Sequence, residues 1–262
     1  MPFYKDFMQT ILNIPYNSIF QIATVVLILV LAVLMFRYLW LSIKEKSYYP
    51  EQWAYFLKKK KISETLIQLE KNYDDKIRFY NFWFQIERLK KENVKGSFAE
   101  LGVYKGETAK IIHEMDNSRK FHLFDTFEGF EKEDLKKETG EAAGYSTKNF
   151  ADTNIKKVSD YINGNNNIII HSGHFPETTK EVESEKYALV NIDADLYNPI
   201  REGCIYFYPL LSPGGVLIIH DYNHKWEGAM KAVNEFVKII PENIIEIPDA
   251  HGTVMIIRNK EI

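Results

Sequence analysis

Cysteine is almost missing from this chain of 262 residues, where Cys204 stands alone. That excludes a disulfide framework and any cysteine-rich metal site. A lone cysteine in a helical pattern reads as a small buried apolar residue. An excess of either charge is missing too: the formal net charge is −3, so nucleic acid is not an expected partner. Internal repeats and low-complexity tracts do not occur, which removes solenoids and disordered linkers. The nicotinamide and flavin pattern G-x-G-x-x-G is missing from the first glycine loop, which reads Gly102-Val-Tyr-Lys-Gly106.

One further absence is local. No charge occurs between Asp6 and Arg37, and Ile19 to Phe36 is apolar except for Gln21 and Thr24. About 20 apolar residues span a bilayer as a helix. Tyr38 and Trp40 suit the membrane–water interface, where Arg37 can snorkel. A cleaved signal peptide fits less well, because the run is long, its start is weakly basic and no small-residue cleavage site follows. The expected organisation is an extension over 1–18 and a single transmembrane anchor over 19–41. Arg37, Lys44, Lys46 and Lys58-Lys-Lys-Lys61 follow the anchor and only Lys5 precedes it, which predicts a cytoplasmic C-terminal part. The lysine run either meets anionic headgroups or forms a solvated helix face.

Residues 42–95 read as one or two charged, aromatic helices linking the anchor to a core domain over 96–262. From Gly96, apolar runs, turns and helical patterns alternate. Strands are expected at Ser97–Val103, Phe121–Asp125, Ile168–His171, Ala188–Asp193 and Val216–Asp221. A closing antiparallel hairpin is expected at Ile244–Ile247 and Thr253–Arg258. Helices are expected at Thr108–Asp116, Asp152–Tyr161, Pro199–Leu211 and Trp226–Ile239. This alternation predicts an α/β fold with a mostly parallel sheet covered on both faces. The long polar segment over 126–166 follows an acidic strand end directly and reads as a substrate lid, the other reading being a structural insertion.

The glycine loop and Asp125 together are how a nucleotide-like cofactor is held on an open α/β sheet, with backbone approaching at the glycines and a carboxylate on the ribose hydroxyls. Glu100, just before the loop, would repel a pyrophosphate but accept hydrogen bonds from an ammonium group. The pattern therefore favours S-adenosylmethionine over a dinucleotide. The candidate cofactor residues are Glu100, Gly102, Gly106, Thr108, Asp125, Thr126, Ser172, Gly173 and Asp193. A second constellation, Asp193 with His220 and Asp221, sits at the ends of neighbouring strands. It offers oxygen-rich ligation for a hard ion such as Mg²⁺, which would lower the pKa of a bound hydroxyl. Asp193 and His220 are also the candidate catalytic groups. Asp195 stays ambiguous: it belongs with this cluster, or the strand exit turns it to Arg201 or to a helix N-terminus.

Several segments recur in a fixed order: Ala99-Glu-Leu-Gly-Val-Tyr-Lys-Gly106, Leu123-Phe-Asp-Thr-Phe-Glu-Gly-Phe130, Gly173-His-Phe-Pro-Glu-Thr178 and Asn191-Ile-Asp-Ala-Asp-Leu-Tyr197. After them come Tyr206-Phe-Tyr-Pro-Leu-Leu-Ser-Pro-Gly-Gly215, Asp221-Tyr222, and Gly228 with Ala232-Val-Asn-Glu-Phe236. Over about Gly96 to Arg258 the chain resembles the macrocin-type (TylF/MycF-like) O-methyltransferases of bacterial sugar methylation. The resemblance implies a class I methyltransferase fold with a Rossmann-like, mostly parallel sheet and an antiparallel last strand. It also implies S-adenosylmethionine, a Mg²⁺ ion and a sugar hydroxyl as acceptor. It puts the metal carboxylates at Asp193 and Asp221, and His220 where macrolide-modifying members carry an acid. It further implies self-association through N-terminal and lid elements.

The expected function is thus a membrane-anchored O-methyltransferase acting on a small-molecule or lipid-linked sugar. The alternative is a non-catalytic membrane-anchored adaptor that retains the fold. An oxidoreductase on the same sheet type is disfavoured by the glycine pattern and Glu100.

Overall fold

The computed structural model describes residues 16–46 and 49–259. Lys5, Asp6 and most of the expected extension 1–18 lie outside the described residues. The chain divides into two compact units between Lys61 and Ile62.

The first unit carries α1 (Tyr16–Lys46) and α2 (Glu51–Lys58). Within α1, the 26 residues Asn17–Ser42 are long and apolar enough to cross a membrane, and none of that stretch is buried. At ~1.5 Å per residue it reaches about 39 Å, more than the ~30 Å of a bilayer's hydrocarbon core. Pro50 precedes α2, where a missing N–H costs no helical bond. Lys58 to Lys61 are all exposed.

The second unit opens with α3 (Glu64–Asn72), capped by the Ser63 hydroxyl accepting from Leu66 N at 3.1 Å, and α4 (Lys76–Lys91), capped by Asp75 accepting from Arg78 N at 2.9 Å. The expected linker over 42–95 therefore holds three helices, and the last two belong with the sheet. Burial explains this: Phe79, Phe82, Trp83, Ile86 and Leu89 on α4 are essentially inaccessible to water. Polar ties add to it. Arg88 donates to Gly214 O at 2.8 Å, and Ala250 N donates to Asp75 Oδ2 at 2.8 Å.

The seven strands are β1 (Ser97–Leu101), β2 (Phe121–Asp125), β3 (Ile168–Ser172), β4 (Tyr187–Ile192), β5 (Leu211–Ile219), β6 (Ile245–Ile247) and β7 (Thr253–Ile257). They form one sheet in the order β3-β2-β1-β4-β5-β7-β6. The first five are parallel, and β7 runs antiparallel to both β5 and β6. Between them run α5 (Glu107–Met115), the short α6 (Lys132–Leu135), α7 (Ile155–Ile162), α8 (Tyr197–Phe207) and α9 (Glu227–Phe236). β5 starts earlier than Val216, because Ser212-Pro-Gly-Gly215 joins the sheet through a register shift opposite Tyr187 and Leu189 rather than ending a helix. The central strands are fully buried, as expected of a parallel sheet covered on both faces. Cys204 lies on α8 with no exposure, and burial pushes its thiol pKa up. Gly203 beside it lets α8 approach Leu101 and Ile192 closely.

The order reverses between β1 and β4, and at such a switch point the strand ends open a crevice. Register then dictates who meets there. Leu101 pairs with both Phe124 and Ile192, Asp125 with Ser172, and Ile192 with Ile219. One residue further on, Ser172, Asp125, Gly102, Asp193 and His220 fall in a single row along the carboxyl edge.

One buried pair lies away from this row. His122 Nδ1 and His171 Nε2 are 3.0 Å apart, with His122 2% and His171 8% exposed. Burial lowers both pKa values, and the neighbouring His171 helps bring His122 down to about 4. Unfolded histidine takes up a proton near pH 6.5, while folded His122 declines it until about pH 4. The unfolded state therefore binds more protons in this window, and stability falls as pH drops through it. A His122→Phe chain should show a flatter loss of stability between these pH values in acid unfolding curves. Equal slopes for the two chains would refute the assignment.

Candidate active site

The strand row becomes a site because β1 gives way to a turn that only glycine allows. Gly102 has φ +87°, and a Cβ there would lie 1.9 Å from the Asp193 carbonyl oxygen. Asp193 N in turn donates to Leu101 O at 2.8 Å, so the β1 and β4 exits are locked edge to edge. Val103 and Tyr104 then present their N–H groups to Asp125 Oδ2 at 2.7 and 2.9 Å, and Phe127 N donates to Oδ1 at 2.6 Å. Asp125 clasps the glycine loop through its backbone and keeps acceptor capacity on Oδ1. Gly106, φ +83°, starts α5 and packs on Val158 and Ile162 of α7.

A cavity of 460 Å³ opens above this row, within the ~300–1,000 Å³ usual for ligand pockets. Of the expected site residues, Gly102, Thr108, Asp125, Thr126, Gly173, Asp193, His220 and Asp221 line it. Three others stand apart. Gly106 supports the loop from behind, and Ser172 is exposed at the strand end outside the wall. Glu100 is fully buried beneath the cavity, where Asn191 Nδ2 donates to its Oε1 at 2.8 Å. Burial raises the Glu100 pKa to about 8, against the pull of its hydrogen bonds to Thr108 and Asn191. The structure thus places Glu100 beneath the cavity and not on its wall.

The metal candidates converge. Ligand atoms of Asp193, His220 and Asp221 all lie within 4.8 Å of one another. His220 Nδ1 is 3.0 Å from Asp193 Oδ1 and 3.0 Å from Asp221 Oδ1. Two carboxylates and an imidazole form a donor set suited to a divalent ion that accepts oxygen and nitrogen. Burial opposes charge on His220, but the Asp193 carboxylate outweighs it and lifts the imidazole to about 10. Burial likewise opposes the Asp193 carboxylate, and Arg78 and His220 together hold its pKa far below the usual range. Asp195 goes the other way: burial, with Asp221 and Asp193 beside it, raises it well above an ordinary carboxyl. Asp195 and Asp221 both adopt positive φ (+57° and +63°), a conformation rare for non-glycine residues and concentrated at functional sites.

Sequence reasoning missed Arg78, Tyr73, Trp226 and His251, which also line the cavity. Arg78 Nη2 donates to Asp193 Oδ2 at 2.8 Å from the first turn of α4. A cation in a first turn is opposed by the helix dipole, and that was the one available signal.

Residues after β2 cover the cavity, with Phe130, Tyr145 and Phe150 on its wall and packed ring to ring. The Glu138 carboxylate seats this segment. Its Oε1 accepts from Tyr197 N at 2.8 Å, at the start of α8, while Oε2 is buried with no partner. Gly228 makes room, since a Cβ there would lie 2.2 Å from Oε2. Burial raises the Glu138 pKa, against the Tyr197 N–H. His174 Nε2 and Asn198 Nδ2 hold Asp134 at 3.0 Å each.

This strand order, with one antiparallel strand near its end and a glycine turn locked against the switch point, defines a class I methyltransferase fold. The Macrocin-O-methyltransferase (TylF) family model matches residues 56–255, and the chain belongs to that family. The solved O-methyltransferase NovP is similar at 22% identity and a TM-score of 0.61, covering 71% of this chain and 81% of its own. CalS11, a calicheamicin methyltransferase, is similar at 20% identity and a TM-score of 0.54, covering 68% and 79%. A putative caffeoyl-CoA O-methyltransferase from Staphylococcus aureus is similar at 13% identity and a TM-score of 0.52, covering 79% and 98%. At these identities the likeness is one of fold. No curated protein sequence matches the chain.

Gly102→Ala should destabilise the protein by about 1–3 kcal/mol, since it forces a left-handed residue into a backbone clash. Gly144→Ala, where a Cβ meets nothing within 4 Å, is the control. Its unfolding midpoint should stay within about 0.5 kcal/mol of wild type. Similar midpoints for the two variants would rule out the locked-edge description.

Proposed function

We propose that the protein is a membrane-anchored, S-adenosylmethionine-dependent O-methyltransferase acting on a hydroxyl of a sugar, glycan or lipid-linked sugar. One observation carries this reading: the Asp125-clasped glycine loop and the Asp193–His220–Asp221 cluster face a single cavity. The first suits a nucleoside with an amino acid end, and the second suits a hydroxyl that must lose its proton. Membership of the macrocin-O-methyltransferase family supports the same chemistry.

In the proposed reaction the acceptor oxygen approaches the sulfonium methyl in line. An O–C bond forms, the C–S bond breaks with its electron pair left on sulfur, and the hydroxyl proton passes to His220, which can take it only while its imidazole is neutral. Asp193, His220 and Asp221 are the residues that would hold Mg²⁺. When bound, the ion supplies Lewis acidity that lowers the pKa of a hydroxyl and takes the place of the imidazolium proton. Arg78 keeps Asp193 ionised and oriented. Thr126 and Gly173 edge the nucleoside side of the cavity. The segment over 126–166 acts as the lid, with Phe130, Tyr145 and Phe150 excluding water. Alignment of two bound substrates accounts for most of the acceleration.

Calorimetric titration with S-adenosylhomocysteine should give micromolar binding, weakened about tenfold or more in Asp125→Ala, which loses acceptors for three backbone N–H groups. Methyl transfer to sugar acceptors should drop at least about tenfold on chelation or in Asp221→Asn. No binding of the homocysteine product by the wild-type chain would sink the enzyme reading and leave the adaptor in its place.

The anchor is residues 19–41, with the second unit in the cytoplasm, because the basic residues follow the span. Trypsin should cut at Lys58–Lys61 in sealed inside-out vesicles and not in right-side-out ones. The reverse pattern would invert the topology, and release of the full chain by alkaline carbonate would remove the anchor.

A further inference from the structure

We propose that Arg78 binds the carboxylate of the cofactor's amino acid end, so that α4, outside the sheet, selects a zwitterionic cofactor. The inference rests on the S-adenosylmethionine reading above and deepens it.

Arg78 is 6% exposed and lines the cavity. A guanidinium carries five N–H donors. One atom, Nη2, is committed to Asp193 Oδ2, while Nε is buried with no partner and no described group bonds Nη1. One face of the group lies over the Phe82 ring at 5.6 Å, which holds the guanidinium plane in place beside the cavity. A buried donor left unpaired costs about 1–3 kcal/mol, more when charged. The position thus calls for an anionic oxygen from a ligand. The other cavity-lining cation with a flexible chain, Lys105, is half exposed and already paired with Asp152.

Place decides which oxygen. Gly102 touches the Asp193 backbone and Arg78 holds the Asp193 side chain, so the guanidinium sits where the glycine loop meets β4. Its helix, α4, packs against α5, which begins directly after that loop. Glu107, the first residue of α5, also lines the cavity, is exposed and interacts electrostatically with Arg78. An arginine and a glutamate at one end of a cavity match a carboxylate and an ammonium on one carbon. Glu107 thereby takes the ammonium-facing place that buried Glu100 does not reach. A fork of N–H donors suits a planar carboxylate, which a lysine would contact only as a point charge.

The test compares S-adenosylmethionine with its decarboxylated analogue, which keeps the ammonium and sulfonium but lacks the carboxylate. Both are titrated into the full-length wild type, Arg78→Lys and Arg78→Met, with thermal midpoints recorded for each chain. The wild type should prefer the carboxylated cofactor by tenfold or more. Arg78→Met should bring the ratio close to one, with Arg78→Lys between them. A wild-type ratio near one overturns the proposal. So does a ratio unchanged in both variants while both ligands weaken together, because Arg78 then only props Asp193 or serves a phosphate on the acceptor. Failure of the wild type to bind either compound is separate: it removes the cofactor reading itself, and this inference with it.

Discussion

Every feature of the site depends on a backbone contact between two strand exits. Gly102 lies against the Asp193 carbonyl, and the Asp193 N–H reaches back to Leu101. Parallel strands that diverge at a switch point leave a gap, and this contact closes its floor while leaving its mouth open. The row running from Asp125 through Gly102 and Asp193 to His220 is a consequence of register, not of side-chain attraction. A side chain at position 102 would wedge β1 from β4 and move the loop and the carboxylates together. Gly203 serves the same floor from below, letting α8 press on Leu101 and Ile192.

Charge is arranged on that floor with little redundancy. Asp193, Asp195 and Asp221 crowd one corner, and Arg78 and His220 are the cations that face them. Removing one member of such a buried set leaves its partner uncompensated, which costs more than the pair contributes. The arginine arrives from α4, which explains why this helix belongs with the sheet. Asp75 adds to the tie, capping α4 and accepting from Ala250 beside the cavity residue His251. Residues far apart in sequence thus brace one corner.

Much of this was legible in the chain. Glycines with acids at apolar strand ends are a pattern set by backbone geometry, so Gly102, Asp125, Asp193 and Asp221 could be read without coordinates. The hairpin of β6 and β7 was readable as two short apolar runs separated by the turn-forming Pro248-Asp-Ala-His-Gly252. Arg78 was not, because it lies in an aromatic stretch whose stripe reads as packing surface, and its value depends on a partner 115 positions away. The place of Glu100 in the motif was visible, but its full burial was not, because that depends on neighbours such as Thr108 and Asn191. The start of β5 at Leu211, rather than at Val216, was not legible, because a register shift absorbs Ser212-Pro-Gly-Gly215 into the strand. Apart from the helix α7, the covering segment had no readable code, since Lys132–Leu135 and Gly140–Gly144 are single turns, and the segment is seated by tertiary contacts such as Glu138 on Gly228.

That last seat has a thermodynamic consequence. One oxygen of Glu138 is bonded and the other is buried with no partner. An unpaired buried acceptor costs about 1–3 kcal/mol, and each ~1.4 kcal/mol is a factor of ten in population. Relative to a fully paired carboxylate, the displaced position of the covering segment is therefore enriched roughly fivefold to a hundredfold. The seat of the covering segment on α8 and α9 is thus held with one hydrogen bond fewer than its carboxylate could make.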